Sequence, residues 1–207
     1  MNKDWQEGAI DPESLAPNPV DEFLNWYGMA TESDDALPEA MSLATVTREG
    51  TPTVRVVLMR GCDERGVSFF TNYESPKCID MEANPQVALA FHWKPIFRQI
   101  RVEGRVSRVP EEESKIYWDS RPRGSRLAGW ASKQSAEVDA WGTLAERVEQ
   151  LEEQYPDDDI PLPPFWGGYI VEPSKWEFWL SRESRLHDRF VYEKKDDDEW
   201  KVVRLQP

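Results

Sequence analysis

Apolar positions along the chain follow two periods, and the order of the segments predicts the architecture. Met41-Ser42-Leu43-Ala44-Thr45-Val46-Thr47 and Thr53-Val54-Arg55-Val56-Val57-Leu58-Met59 flank Glu49-Gly50 as the two strands of a hairpin would. A turn at Asp63-Glu64-Arg65-Gly66 leads into a strand over 67–71. Ser75 then stands where a cap belongs and Pro76 where a helix starts, predicting a helix through Glu82 that Asn84-Pro85 ends. Strands follow at 87–91 and 99–103, the second continuing past Gly104 over 105–109. Pro110-Glu111-Glu112-Glu113 opens a helix carrying Ile116, Tyr117 and Trp118, with acids at its positive end. A longer helix over about 136–154 precedes the proline-rich loop 161–164. The tail returns to strands at 168–171, 175–179, 190–192 and 200–205, the last two joined by a turn over Asp196-Asp197-Asp198. Residues 1–37 read as an extension with one docking helix, around 20–27, between flexible segments. Strands first, helices inserted and strands last predict a mainly β fold, an antiparallel and nearly closed barrel with peripheral helices. A doubly wound parallel sheet does not suit this order, and no internal repeat is evident.

A length of 207 residues favours one domain, and 39% apolar with 31% charged residues places it among globular chains. The net charge of -14 disfavours nucleic acid and anionic membranes as partners, so any anion must bind in a concentrated local pocket. No apolar run approaches spanning length, and Met1-Asn2-Lys3-Asp4-Trp5 lacks the plan of a signal peptide, so a cytoplasmic location is expected. Cys62 and Cys78 read as packed free thiols, and with His92 and His187 they lack the spacing of a metal site.

Two cationic stretches stand out against this acidic background. Arg121-Pro122-Arg123-Gly124-Ser125-Arg126, followed by Lys133-Gln134-Ser135, contains no acid and suits a phosphate, although such a stretch can equally be a solvated face paired with acids. Arg185-Leu186-His187-Asp188-Arg189 alternates as a strand would, placing Arg185, His187 and Arg189 on one side to hold an anion, or to form a surface ladder. Arg55 to Arg60 is a weaker candidate, with Arg55, Val57 and Met59 on one face. Ten tryptophans offer flat surfaces to an aromatic cofactor but are also ordinary core residues. Neither a dinucleotide fingerprint nor a P-loop is present.

Taken in order, Arg55-Val56-Val57-Leu58-Met59-Arg60, Phe70-Thr71-Asn72, Ser120-Arg121-Pro122-Arg123, Ser132-Lys133-Gln134-Ser135, Phe165-Trp166-Gly167-Gly168, Glu177-Phe178-Trp179 and Arg185-Leu186-His187-Asp188-Arg189-Phe190 resemble the pyridoxamine 5'-phosphate oxidases. The resemblance runs from about Pro38 to the C-terminus, so residues 38–207 form the oxidase domain, with its C-terminal dimerisation segment, behind the 1–37 extension. It implies an FMN-binding split β-barrel of Greek-key-like antiparallel strands, a homodimer with FMN in clefts between subunits, and a phosphorylated pyridine substrate. The implied activity is oxidation of pyridoxamine or pyridoxine 5'-phosphate to pyridoxal 5'-phosphate with O2 as acceptor, releasing H2O2. The alternatives are an FMN oxidase of the phenazine-biosynthesis type and a non-catalytic flavin- or pyridoxal phosphate-binding protein.

Carried over by position, the implied cofactor residues are Arg55, Val56, Val57, Leu58, Met59, Arg60, Phe70, Thr71, Lys77, Gln99, Gln134, Ser135, Trp179 and Arg189. Those implied for substrate are Arg60, Tyr117, Arg121, Ser125, Arg185 and His187, the last two as catalytic residues. Tyr117, Arg121 and Ser125 lie about one turn apart, a spacing at which they can converge on one phosphate. Two positions depart from the family: Arg60 replaces the usual lysine, and Pro76 stands where an arginine commonly precedes the lysine.

Overall fold

The structure is a computed structural model that describes residues 9–138, 140, 142–195 and 199–207. The docking helix expected near residue 20 is α1 (Pro19–Thr31), capped by the Asn18 side chain accepting from Val20 N. Its Phe23, fully buried, packs against Phe91, Trp93 and Trp176, so the helix shares the core of the sheet. The predicted hairpin is β1 (Ala40–Val46) and β2 (Pro52–Leu58), paired from Ala40 opposite Leu58 to Val46 opposite Pro52. β3 (Gly61–Asp63) and β4 (Gly66–Asn72) follow.

α2 (Pro76–Ala83) begins at the expected cap, but the Ser75 hydroxyl bonds no backbone amide of the helix. It accepts from Lys77 Nζ at 2.8 Å and donates to Cys78 Sγ instead. Next come β5 (Gln86–Trp93), β6 (Arg98–Arg108), α3 (Glu111–Ser120), α4 (Arg123–Ala131) and α5 (Gly142–Gln154). α5 starts later than the sequence pattern suggests.

The two tail strands expected at 168–171 and 175–179 are one, β7 (Trp166–Leu180), followed by β8 (Asp188–Lys194) and β9 (Trp200–Arg204). The turn expected over 196–198 lies outside the described residues. All pairings are antiparallel, in a nine-stranded sheet whose main path is β2-β1-β5-β6-β7-β4-β3, with β8 and β9 branching from β7. β7 keeps β6 along one edge and divides the other, Trp166 pairing with β4 and Lys175 with β8.

This division explains why Pro173 reads as a break. It sits at the junction, opposite a register shift between Glu103 and Gly104, where a missing N–H costs little. A Cβ on Gly104 would lie 2.2 Å from the Glu172 carbonyl oxygen, so only glycine lets the strands approach there.

The main core fills the curled sheet, and a smaller cluster, Trp118, Leu127, Ile160 and Trp166, seats the inserted helices on its rim. Ser114 of α3 accepts from Gly168 N at 3.0 Å, fixing that helix to β7. No helix among the described residues is long and apolar enough to cross a membrane.

Candidate active site

The rim between β2, β4, α2 and the α3–α4 junction encloses a cleft of about 590 Å³. Arg55, Val56, Val57, Leu58 and Arg60 line it from β2 and its end, and Phe70 and Thr71 from β4. Lys77, Tyr117, Arg121, Gln134 and Ser135 complete the residues singled out from sequence. Five further residues line it: Asn72, Pro76, Gly129, Ser132 and Trp166. Asn72, Ser132 and Trp166 sit inside the recognised motifs, and that adjacency was the available signal.

The cations in this cleft are held in different ways. Arg55 is pinned: Nη1 donates to Leu43 O (3.1 Å) and Thr45 Oγ1 (2.8 Å), and Nη2 to Thr53 Oγ1 (2.7 Å), with Asp80 Oδ2 at 3.7 Å. It presents charge to the cleft more than free donors. Lys77 is buried at the start of α2, donating to Ser75 Oγ and to Gln134 Oε1 (3.0 Å), which also accepts from Thr71 Oγ1 (3.2 Å). Burial lowers its ammonium pKa, with Arg55 adding to the effect and Cys78 opposing it.

Arg121 is different. Its Nη1 is buried without a hydrogen-bond partner, and the guanidinium lies over Trp118 (5.1 Å) and Trp166 (4.7 Å). Burial depresses its pKa, and the nearby Arg60 charge adds to this. Desolvated cations with unsatisfied N–H groups in an acidic protein call for an anion. Tyr117, Phe70 and Trp166 form a stack beside it, with Tyr117 and Phe70 centroids 4.1 Å apart. Gly168 permits this, since a Cβ there would meet Phe70 at 2.7 Å.

The rest of the cationic stretch does other work. Arg123 donates to Tyr155 O and Asp157 O, while Arg126 bonds Asp158 O at 2.9 Å and Asp158 Oδ1 at 2.6 Å, tying α4 to the following loop. Ser125 does not line the cleft: α3 ends at Ser120 and Arg121 is extended, so the one-turn spacing from Tyr117 is broken. Met59 does not line the cleft either, its side chain being buried in the main core.

Gln99, Trp179, Arg185, His187 and Arg189 do not line this cleft. They gather where β6, β7 and β8 meet: Gln99 pairs with Trp179, and Trp179 with Arg189. The shared strand face expected of 185, 187 and 189 is absent because β8 begins only at Asp188. Arg185 is exposed on a turn with φ 60°, His187 packs on Trp179 with centroids 4.6 Å apart, and Arg189 pairs with Glu177 at 2.8 Å. The chain therefore carries two separate polar surfaces, each holding part of the implied site.

A protein-family model described as pyridoxamine 5'-phosphate oxidase matches residues 32–155. A protein of Psychromonas ingrahamii named pyridoxine/pyridoxamine 5'-phosphate oxidase is 49% identical over 96% of this chain and 92% of its own. One of the same name from Cupriavidus taiwanensis is 46% identical over 100% of this chain and 97% of its own. The chain belongs to the pyridoxamine 5'-phosphate oxidase family. A second model, the pyridoxine 5'-phosphate oxidase C-terminal dimerisation region, covers 166–207, the segment holding β7 to β9 and therefore most of the second surface.

Among solved structures, PhzG from Burkholderia lata, in complex with tetrahydrophenazine-1-carboxylic acid, superposes with a TM-score of 0.89 at 29% identity, covering 97% of this chain and 98% of its own. A pyridoxamine 5'-phosphate oxidase-related, FMN-binding protein of Nostoc punctiforme reaches 0.75 at 19% identity, over 93% and 100%, and shows the split-barrel fold. The fold expected from the strand order is the fold of this oxidase family.

Proposed function

We propose that this chain is an FMN-dependent oxidase converting pyridoxamine or pyridoxine 5'-phosphate to pyridoxal 5'-phosphate, with O2 as acceptor and H2O2 released. It acts as a homodimer in which the second surface of one protomer completes the cleft of the other. The observation that carries the reading is the Arg121 guanidinium, desolvated and short of a partner, beside an aromatic stack in a cleft that also holds Lys77. Relatives 42–49% identical across nearly the whole chain support the vitamin B6 substrates over the phenazine type, represented at 29%.

The donor set fits FMN. Lys77 at the positive end of α2, together with Arg55, Gln134 and Ser135, would hold its phosphate, and the edge backbone of Val56 to Leu58 would meet its ring. The helix end and Lys77 together offset the cation that Pro76 does not supply. When bound, FMN supplies the two-electron acceptor that the side chains lack.

What the chain itself supplies is placement. Arg121 and Arg60 bind the substrate phosphate, and Tyr117, stacked on Phe70, walls that end of the cleft. From the other protomer, Arg185 and His187 would hold the pyridine of the substrate, and Gln99, Trp179 and Arg189 would help to hold the cofactor. Holding both partners in one geometry converts a bimolecular encounter into a positioned one.

Adding pyridoxine 5'-phosphate anaerobically to the FMN-loaded protein should bleach the flavin absorbance, and air should restore it with pyridoxal 5'-phosphate formed. A flavin band that never bleaches would rule out this substrate, and failure to take up FMN would rule out the oxidase.

A further inference from the structure

We propose that Asp188 is a positioning residue for His187, acting through Arg182. The inference rests on the reading above, in which His187 touches substrate.

The segment joining β7 to β8 turns sharply through Ser184 (φ 53°) and Arg185 (φ 60°). Two successive non-glycine residues in the left-handed region are unfavourable and persist only where the surroundings hold them. Leu186 N donates to Glu183 O at 3.1 Å within the turn, and Ser181 N donates to Phe97 O at 2.9 Å, tying the end of β7 to the residue before β6. Across its mouth, Arg182 N donates to His187 Nδ1 at 3.0 Å. With Nδ1 as acceptor, the neutral imidazole carries its proton on Nε2, which becomes the donor available to a ligand.

The position of that Arg182 N–H is set by its own side chain. Nη1 of Arg182 lies 3.2 Å from Asp188 Oδ2, the two side chains being 9% and 2% exposed. The same carboxylate takes Arg204 Nη2 at 2.6 Å on Oδ1 and Ile10 N at 3.1 Å on Oδ2. One buried carboxylate, adjacent to His187 in the chain, therefore joins the N-terminal segment, the turn and β9. Buried ion pairs seldom add net stability over apolar packing. What this one fixes is orientation: with Arg182 anchored, its backbone N–H and hence the His187 ring have one position, against Trp179. Arg185 projects from the same turn, so its placement depends on the same anchor.

The test uses Asp188→Asn and Arg182→Gln in the FMN-loaded full-length protein. Arg182→Gln keeps Arg204 and the Ile10 amide on Asp188, so it probes the anchor even where Asp188→Asn does not fold. Each variant that folds should raise KM for pyridoxine 5'-phosphate about tenfold or more, with kcat changed much less and FMN retained. The chain has only two histidines, His92 and His187, so 15N NMR resolves the ring of interest. The wild type should show the Nε2–H tautomer for His187, and Arg182→Gln a mixture of tautomers. A folded Arg182→Gln protein with wild-type KM and an unchanged tautomer would overturn the proposal. If the wild type failed to oxidise pyridoxine 5'-phosphate, the functional reading would fall, while the tautomer comparison would still decide whether Arg182 and Asp188 position the ring.

Discussion

In the proposed function, Arg121 is the residue on which substrate recognition turns. A charge-assisted hydrogen bond to a phosphate contributes about 1.5–3 kcal/mol, so Arg121→Ala should raise KM for pyridoxine 5'-phosphate by about ten- to a hundredfold. FMN should stay bound, because Lys77 and Gln134 are untouched. Steady-state kinetics at low and high ionic strength checks this, and an unchanged KM at both would remove Arg121 from the site. Cys62 gives a prediction of another kind. Burial, with Asp63 adding to it, pushes its thiol up to about 12 from 9.0. Between those values the unfolded chain loses a proton that the folded chain keeps, so stability contributed by this group falls as pH rises through that window. Cys62→Ser should flatten the alkaline limb of a urea-midpoint against pH curve. At pH 8, thiol reagents should label the native protein slowly at Cys62 and at buried Cys78.

At the scale of elements, the register shift between β6 and β7 lies where β7 changes its other partner from β4 to β8. Gly104→Ala would force a Cβ against the Glu172 backbone carbonyl, and overpacking of this kind costs about 1–3 kcal/mol. Urea unfolding of the variant should show a lowered midpoint at unchanged slope. Most elements here were legible in the sequence, because alternation in β1, β2, β5 and β6 and the Pro76 and Pro110 helix starts are local signals. The failures came from non-local causes. Pro173 reads as a strand break but falls where β7 changes partners from β4 to β8. Arg185 to Arg189 alternates like a strand, yet the chain turns through two left-handed residues that carry no glycine signature. Arg123 and Arg126 share the phosphate-like composition of Arg121, but their partners lie about thirty residues away, at 155–158, where composition cannot see them. Many of the residues carried over from the family motifs line the cleft. The motifs could not tell which member of a motif faces inward, as Met59 and Ser125 show.

At the scale of the whole molecule, the residues carried over from the family fall on two surfaces, one the cleft and the other where β6, β7 and β8 meet. On the proposed function, a chain that gathers Lys77, Gln134 and Arg121 in one place and Arg185, His187 and Trp179 in another would use a second copy to unite them, and the matched dimerisation region contains that second set except Gln99. In the proposed twofold dimer each subunit would give the cleft to one site and the β7–β8 surface to the other. Assayed at pyridoxine 5'-phosphate below the wild-type KM, Arg121→Ala and His187→Ala should each show about a tenth or less of wild-type activity as homodimers. The most direct measurement mixes them: the two variants are co-expressed, or unfolded together and refolded with FMN, and the oxidation of pyridoxine 5'-phosphate is assayed. Random pairing gives heterodimers with one doubly damaged site and one intact site, so activity should return to about a quarter of the wild-type value. A mixture no more active than its separate components, with heterodimers demonstrably formed, would contradict a site built from both protomers.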